Sequence, residues 1–338
     1  MDEKRVRICD IAEELGLSTA TVSNVIHGKT KKISDRTVQK VEALLEERQY
    51  IPSMAGILLA RNSSRIIGVV INDHEKYEGH TLEDAFISSS LNYLSIEIEK
   101  NNQFMMVKRA SSPEEIIKFA SMWNMEGLVL IGFCDHDYMY LRNHMRIPFV
   151  VYDGYCDCAE RIYNITIDNY SGGFQVGKYF RESGHRHVLC ISDNHICVDK
   201  ERFDGFCEGM EEYGADFMEV PMKKSERIKF YEDNLEKIRS YTAIFAVSDY
   251  YAVEIMVFLQ EHGVAVPEEI SIAGFDDTPM CSHVKPTLTS VRQDGGQRAK
   301  LAMEKLCELH NKSETESTTK LDVQLIVRES TGMLQSRQ

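Results

Sequence analysis

The stretch DIAEELGLSTATVSNVIHGK, residues 10–29, contains two short helical patterns separated by Gly16. Before this glycine, apolar residues recur with the spacing of one helix face: Ile8, Ile11, Ala12 and Leu15. The spacing predicts an amphipathic helix that Gly16 ends, and Ser18 can cap the next helix by accepting from its free N–H groups. Two helices joined by a turn this short are typical of a helix-turn-helix unit.

The second of these helices has an apolar face and a polar face. Val22, Val25 and Ile26 are expected to face a small core. The outer face then carries Thr19, Ala20, Ser23, Asn24 and His27, without an arginine. A third helix is predicted to open at Ser34 and to contribute Val38, Val41, Leu44 and Leu45. In three-helix units of this kind, the second helix enters the major groove of DNA.

Charge is unevenly divided along the 338 residues. The net charge is −14, but residues 1–61 hold 10 Lys+Arg and 9 Asp+Glu, so the acidity lies in the rest. Basic residues flank the helix pair on both sides: Lys4, Arg5, Arg7, Lys29, Lys31, Lys32, Arg36 and Lys40. This arrangement suits a grip on DNA phosphates, because phosphate neutralisation supplies most non-specific affinity. The alternative is a set of solvated side chains on a small surface domain.

The N-terminal part resembles the headpiece of the LacI/GalR family of bacterial transcription regulators. DIAEELGLSTATVSNVIHG is followed by ISDRTVQKV and YIPS in the order of that family. The resemblance implies that Thr19 and Ala20 face base edges and that Thr21 and Ser23 hold phosphates. Asn24 stands at a base-reading position that arginine usually fills. Asn pairs with adenine and Arg with guanine, so Asn24 predicts a different preferred base. Ser18, His27 and Lys31 complete the DNA-binding set.

Pro52 marks a boundary, since proline restricts the residue before it. The segment SMAGILLARNSS that follows is unusually apolar for a linker. The resemblance implies a hinge helix that orders on DNA in a dimer, with Leu59 as a wedge in the minor groove. The alternative is a plain linker whose apolar residues are buried on the next domain.

From residue 65 onward, short apolar runs alternate with helical segments. The runs that are predicted to be buried strands are IIGVVI, FMMV, GLVLIGF, PFVVYD, ITID, HVLCIS, AIFAVS and ISIAGF. Alternation of this kind indicates parallel sheets covered by helices, and so many strands indicate two lobes. The predicted fold is therefore a small all-α helix-turn-helix domain followed by a two-lobed α/β domain with a ligand cleft between the lobes.

The large part resembles the periplasmic-binding-protein-like effector domain of the same family. Segments that carry the resemblance include IDNYSGG, KERFDGF, VPEEISIAGFDD and PTLTSVRQD. The implied domains are a headpiece at 1–50, a hinge at 51–64, lobe 1 at 65–165 plus 293–321, and lobe 2 at 166–292 plus 322–338. The chain stops six residues after Gly332 without a heptad extension, so a dimer is expected rather than a tetramer.

Six residues are predicted to bind an effector. By the resemblance, Arg202 and Asp276 bracket a small polar effector from the second lobe, since a guanidinium donates and a carboxylate accepts from hydroxyls. Ser248 stands where asparagine is common, with Asp249 beside it, and Ser171 replaces an acidic residue of several relatives. Tyr77 is the candidate aromatic of the first lobe. Taken singly, Arg202 could instead form a salt bridge and Asp276 a turn.

Several classes of site have no support in the sequence. No GxxxxGK[ST] loop, HExxH or paired CxxC occurs, and Cys156 and Cys158 form only a lone CxC. We therefore expect neither enzymatic activity, nor a cofactor, nor a metal site. No apolar run approaches a membrane span and the N-terminus is not a secretory signal, so a cytoplasmic location is expected.

The sequence predicts a DNA-binding transcription regulator, a repressor that binds a pseudo-palindromic operator as a homodimer. A sugar-like effector in the cleft would control it. One alternative is a regulator of the same fold that has lost its small-molecule effector and answers to a protein partner. A solute-binding protein for transport would share the lobes, but it would need a signal peptide and no headpiece.

Overall fold

The computed structural model describes residues 6–51, 64–154, 162–310 and 318–334. The chain forms two compact units, Met1–Ser64 and Arg65–Gln338. The predicted hinge, with Leu59, and the pair Cys156 and Cys158 lie outside the described residues. Within the described ranges, no helix is both long enough and apolar enough to cross a membrane.

The first unit contains the three predicted helices: α1 (Ile8–Leu15), α2 (Thr19–Ile26) and α3 (Asp35–Glu47). Gly16 ends α1 in a left-handed conformation with φ of 63°, which a residue with a Cβ adopts at a cost. The Ser18 hydroxyl caps α2 by accepting from the Thr21 N–H at 3.1 Å. Ser34 caps α3 through Thr37 in the same way. The predicted helix-turn-helix unit is confirmed.

The core of the first unit is small and apolar. Its buried members are Ile11, Ala12, Val22, Val25, Val41 and Leu44. Ile26 and Leu45, which were expected to be inside, pack against this core but stay partly exposed. Because the buried residues of α2 lie on one side only, its opposite side is left for solvent or a partner.

The second unit contains two six-stranded sheets. All pairings in the first sheet are parallel, in the order β11-β5-β4-β3-β1-β2. Its strands are β1 (Ile66–Asn72), β2 (Phe104–Ala110), β3 (Gly127–Ile131), β4 (Phe149–Tyr152), β5 (Tyr163–Ile167) and β11 (Thr318–Leu321). We call the part built on this sheet lobe 1.

The second sheet has the order β12-β10-β9-β8-β6-β7, and only the pair β10 and β12 is antiparallel. Its strands are β6 (Val188–Ser192), β7 (Asp216–Glu219), β8 (Ala243–Ala246), β9 (Ser271–Asp276), β10 (Thr289–Gln293) and β12 (Val323–Ile326). We call the part built on this sheet lobe 2. One parallel and one largely parallel sheet, each covered by helices, confirm the predicted two-lobed α/β class.

Helices cover both sheets. Those of lobe 1 are α4 (Ala85–Lys100), α5 (Pro113–Met122), α6 (Asp135–His144) and α12 (Gly295–His310). Those of lobe 2 are α7 (Asn169–Glu182), α8 (Cys197–Met210), α9 (Lys224–Asp233), α10 (Leu235–Arg239) and α11 (Asp249–Glu261). The helix α12 follows β10 of lobe 2 in the chain, yet it packs against β4 of lobe 1.

The chain passes between the lobes three times: after β5, after β10 and after β11. The first lobe boundary, placed between residues 165 and 166 from the sequence, falls inside β5. All of β5 belongs to lobe 1, because it pairs with β4 on one side and β11 on the other. We therefore propose that the first crossing follows Ile167.

Candidate DNA-binding surface and ligand cavity

The outer face of α2 carries the five side chains that were predicted to face DNA. Thr19, Ala20 and Asn24 are exposed, and Ser23 and His27 are partly exposed. Small side chains at the start of the helix let the backbone approach a groove closely, and the Asn24 amide offers a donor and an acceptor together. The surface is thus uncharged and capable of hydrogen bonding.

Thr21 differs from its neighbours on α2 because its hydroxyl already has a partner. Thr21 Oγ1 and Ser18 Oγ lie 2.9 Å apart, next to the capping bond between Ser18 and the Thr21 N–H. A hydroxyl has one donor and two acceptor positions, so this pair can still donate one hydrogen bond to a phosphate. Ser18 and Thr21 therefore act as one unit at the N-terminus of α2.

Five basic side chains between α2 and the middle of α3 are exposed: Lys29, Lys31, Lys32, Arg36 and Lys40. None of the five forms an ion pair with a carboxylate among the described residues. Arg7 differs, since its guanidinium lies 3.3 Å from Asp10. Lys4 and Arg5 lie outside the described residues. Unpaired cations beside an uncharged face provide affinity for phosphate without selecting a sequence.

A cavity of about 480 Å³ lies between the two lobes of the second unit. Its walls include residues at the carboxyl ends of parallel strands from both lobes: Asp153 after β4, Asp193 after β6, Ser248 after β8 and Asp276 at the end of β9. Ligands of α/β proteins bind at this edge of a sheet. Of the six predicted effector residues, Tyr77, Arg202, Ser248 and Asp276 line the cavity.

Arg202 is a buried cation on α8, with 6% of its surface exposed. Its Nε donates to Asn169 Oδ1 at 2.9 Å and its Nη1 donates to the Val247 carbonyl at 2.6 Å. The guanidinium carbon also lies 3.7 Å from the centre of the Phe275 ring. These contacts hold the guanidinium plane in one orientation, which a flexible lysine could not reproduce.

Asp276 belongs to a series of polar side chains that connects the cavity walls of the two lobes. Its Oδ1 lies 3.9 Å from Arg202 Nη1 and accepts from Gln293 Nε2 at 2.7 Å. Gln293 Oε1 accepts from Arg298 Nη1 at 2.8 Å, and the same Nη1 lies 3.4 Å from Asp153 Oδ1. Burial raises the pKa of Asp276 well above its ordinary range, although Arg202 opposes the shift. The chain links lobe 2 to lobe 1 where β10 passes into α12.

Asp249 does not reach the cavity, contrary to its predicted effector role. Its side chain points into lobe 2, where only 1% of the residue is exposed. Oδ1 accepts from Ser290 Oγ at 2.6 Å, and Oδ2 accepts from the Thr278 N–H at 2.7 Å and from Cys281 Sγ at 3.1 Å. Burial raises the pKa of Asp249 to about 6, against these hydrogen bonds. Asp249 therefore positions the loop after Asp276.

Ser171 also lies away from the described cavity walls. It is in the first turn of α7, where its N–H donates to Asp168 Oδ1 at 3.0 Å and its Oγ accepts from Gln175 Nε2 at 3.3 Å. Ser171 faces β12, whose Val323 carbonyl accepts from the same Gln175 at 3.0 Å. The nearby Asn169 is linked to the cavity wall instead, because its Oδ1 accepts from Arg202, which lines the cavity.

Lobe 1 contributes a charged segment that the sequence did not reveal. Tyr77 ends a 3-10 turn, Glu75–Tyr77, and Lys76 of that turn lines the cavity as well. Burial raises the pKa of Tyr77 to about 12. Burial alone would lower the pKa of Lys76, but Tyr77 and nearby carboxylates raise it above its ordinary value. Lys76 is therefore a cation held among acidic groups.

Most of the acidic residues in the cavity walls were not predicted from the sequence. Seven carboxylates line the cavity: Glu78, Glu83, Asp84, Asp153, Asp193, Asp199 and Asp276. Asp153 and Asp193 could have been predicted from the sequence, because Asp153 ends one predicted strand and Asp193 directly follows another. Asp84 and Asp199 carry no such signal, since they lie near the starts of α4 and α8 and reach the cavity only through the folding of two loops.

Two family models match the chain. "Bacterial regulatory proteins, lacI family" matches residues 7–53, and "Periplasmic binding protein-like domain" matches residues 178–331. The HTH-type transcriptional repressor PurR of Vibrio atlanticus is 28% identical, over 89% of this chain and 91% of its own length. The alignment with this relative therefore spans both units of the chain.

Solved structures share the fold. The lac repressor dimer bound to operator and the anti-inducer ONPF has a TM-score of 0.82 at 22% identity, and covers 97% of this chain and 100% of that one. A LacI family transcriptional regulator from Enterococcus faecium with bound ribose has a TM-score of 0.69 at 20% identity, covering 80% of this chain and 100% of that one. At these identities the likeness shows the fold alone.

Proposed function

Because this chain belongs to the lacI family of bacterial regulatory proteins, it is a DNA-binding transcriptional regulator, and we propose that it is a repressor that binds its operator as a homodimer. The observation that carries the proposal is the outer face of α2, where exposed uncharged side chains are flanked by exposed, unpaired cations. On such a surface the flanking cations supply affinity for phosphates, and the uncharged side chains distinguish between bases.

Two observations support a homodimer. Tyr93 and Ile96 on α4 of lobe 1 and Val257 on α11 of lobe 2 are each about 40% exposed, and association with a second copy of the chain would bury such apolar surface. The lac repressor of the same fold is a dimer when bound to its operator. A two-fold dimer would present two copies of α2 to two half-sites, so the operator should be pseudo-palindromic.

The cavity supports control by a small polar effector. Its volume of about 480 Å³ and its charged walls suit a molecule of monosaccharide size, and one solved relative holds ribose. These observations favour a small effector over the alternative in which only a protein partner controls the regulator. They give no support to a solute-binding protein, since residues 7–53 match a DNA-binding model.

Selection from random double-stranded DNA by the full chain tests this proposal. We expect enrichment of one pseudo-palindromic sequence, with two half-sites whose centres are a whole number of helical turns apart. The same protein with Thr19, Ala20 and Asn24 replaced by glutamate should enrich nothing, while its secondary structure by circular dichroism stays unchanged. Failure of the unmodified chain to enrich any sequence at low salt would contradict the proposal.

A further inference from the structure

We propose that the cavity binds a small polar molecule that carries an ammonium group, such as an amino sugar, and that Asp84, Asp193 and Asp199 receive this group. The inference rests on the proposed function, because it names the chemical class of the effector. It follows from the distribution of charge on the cavity walls, from the position of Lys76 and from the aromatic side chains nearby.

The walls carry many more acidic than basic groups. Seven carboxylates line the cavity, against the cations Lys76, Arg202 and Lys224. A phosphate or carboxylate group would meet an excess of negative charge from both lobes, so anionic ligands are disfavoured. A ligand rich in hydrogen-bond donors is favoured, because ionised carboxylates only accept hydrogen bonds.

Two of the carboxylates already have cations of their own. Asp276 faces Arg202, and Asp153 faces Arg298, which is 1% exposed and lies behind the wall. Arg202 in turn is committed to Asn169 and to the Val247 carbonyl. This half of the cavity is therefore balanced in charge, and its Arg202 and Asp276 can serve the hydroxyl groups of a ligand.

The other half of the cavity carries more negative than positive charge. Asp84 comes from the start of α4 in lobe 1, and Asp193 and Asp199 come from lobe 2, so the three carboxylates converge from opposite walls. Lys76 acts electrostatically on all three, and Arg202, which also faces Asp276, acts on Asp199 as well. Three carboxylates against Lys76 and a shared Arg202 leave an excess of negative charge when all are ionised.

Lys76 does not neutralise these three carboxylates by direct contact. Its ammonium forms no ion pair with any carboxylate among the described residues, and lies 5.1 Å from the centre of the Tyr77 ring. The Lys76 side chain is thus a partly buried cation that lines the cavity without a carboxylate in contact. The space between it and the three carboxylates is where a ligand group with several donors fits.

Burial makes the excess charge costly. Asp193 is 4% exposed, and burial raises the pKa of both Asp84 and Asp199 above its ordinary range. Asp193 and Asp199 accept hydrogen bonds from Asn194 Nδ2, and Asp199 also accepts from Ser192 Oγ, but these donors are uncharged. A proton or a cation in contact stabilises such carboxylates further. A primary ammonium offers three donors and a positive charge, which gives the stronger, charge-assisted type of hydrogen bond.

The aromatic side chains fit the same ligand class. Tyr77, Phe86, Tyr250 and Tyr251 all line the cavity. Aromatic faces attract cations, and they also pack against the apolar face of a sugar ring. The combination of carboxylates and aromatic rings around one space is the chemistry that recognises organic ammonium ions.

Calorimetric titration of the full chain with matched pairs of compounds tests the proposal. The pairs are D-glucosamine with D-glucose, D-galactosamine with D-galactose, and 1,4-diaminobutane with 1,4-butanediol. We expect at least one amine to bind tenfold or more tightly than its hydroxyl counterpart, and to raise the melting temperature of the second unit. The proposal is overturned when no amine binds, or when a hydroxyl compound binds as tightly as its amine.

Variants separate ammonium recognition from general damage. Asp199→Asn should weaken amine binding at least tenfold, while Asp233→Asn, at an exposed position on α9 outside the cavity walls, should change the affinity less than twofold. Lys76→Met should tighten amine binding, since it removes a like charge; weaker binding would instead show that Lys76 holds the ligand and would overturn the assignment.

The same preparations distinguish this inference from the proposed function. Operator binding of the unliganded wild type depends on the first unit and not on the ligand class. Intact operator binding together with failure of every amine would reject only the ammonium ligand. Loss of operator binding together with tight amine binding would reject the regulator and keep the ligand class.

Discussion

Gly173→Ala is expected to lower the free energy of unfolding of the second unit by about 2 kcal/mol. A Cβ at Gly173 on α7 would lie 1.9 Å from the carbonyl oxygen of Arg202 on α8. Backbone atoms cannot move aside as a flexible side chain can, so the two helices must separate. Overpacking of this kind costs about 3 kcal/mol, while the higher helix propensity of alanine returns about 1 kcal/mol.

The same substitution should weaken ligand binding, because the carbonyl that must move belongs to the residue whose guanidinium lines the cavity. Three further glycines make the contact between α7 and α8 equally close: Gly177, Gly205 and Gly209. Urea unfolding of the full chain, followed by circular dichroism and by the fluorescence of the single tryptophan, Trp123, measures the effect.

Gly296→Ala is the matched control, since it is also a glycine in a helix of the second unit. Its added Cβ would lie 3.4 Å from the nearest atom, Asp294 Oδ1, which is an ordinary contact. We expect its unfolding midpoint to equal or exceed that of the wild type. Similar midpoints for Gly173→Ala and Gly296→Ala would show that α7 and α8 are not packed as closely as described.

Asn24→Ala should abolish a base preference worth about 1–3 kcal/mol at one position of each half-site. Asn24 is exposed on the outer face of α2, and its amide can form a bidentate pair with adenine. Affinity for the preferred operator should therefore fall, and affinity for an operator mutated at that base pair should stay nearly constant. Binding curves on the two operators measure the difference.

Lys31→Ala provides the contrast to Asn24→Ala. Lys31 is exposed in the turn between α2 and α3 and has no ion pair among the described residues. Its loss should weaken binding to all sequences alike and reduce the salt dependence of binding by about one phosphate contact per subunit. Equal losses on matched and mutated operators for Asn24→Ala would show that Asn24 only positions the protein.

The fold could be predicted wherever a local rule applied. Gly16, Ser18 and Ser34 end or cap helices through their own backbone and side-chain chemistry, so the headpiece was predicted nearly to the residue. The fully buried strands of both lobes appear as apolar runs. By contrast, β7, with the sequence DFME, and β11, with TTKL, are edge strands with exposed polar residues, and only their partners make them strands.

The site could be predicted only in part, because a cavity joins residues that are distant in the sequence. Arg202 and Asp276 were identified through family segments. Asp249 was assigned to the ligand because it follows Ser248, but the start of α11 turns its side chain into the core of lobe 2. Lys76 and Asp84 belong to the loop between β1 and α4, where no pattern fixes which side chains face the cleft.

If the cleft and the DNA surface belong to one regulator, occupation of the cleft must change the affinity for operator. The measurement is the operator dissociation constant of the full chain with and without a saturating amount of the compound that binds most tightly in the calorimetric panel. We expect the operator dissociation constant to change at least fivefold, and the ligand affinity to change by the same factor when operator is saturating. An operator affinity that stays the same while the cavity is fully occupied would contradict it.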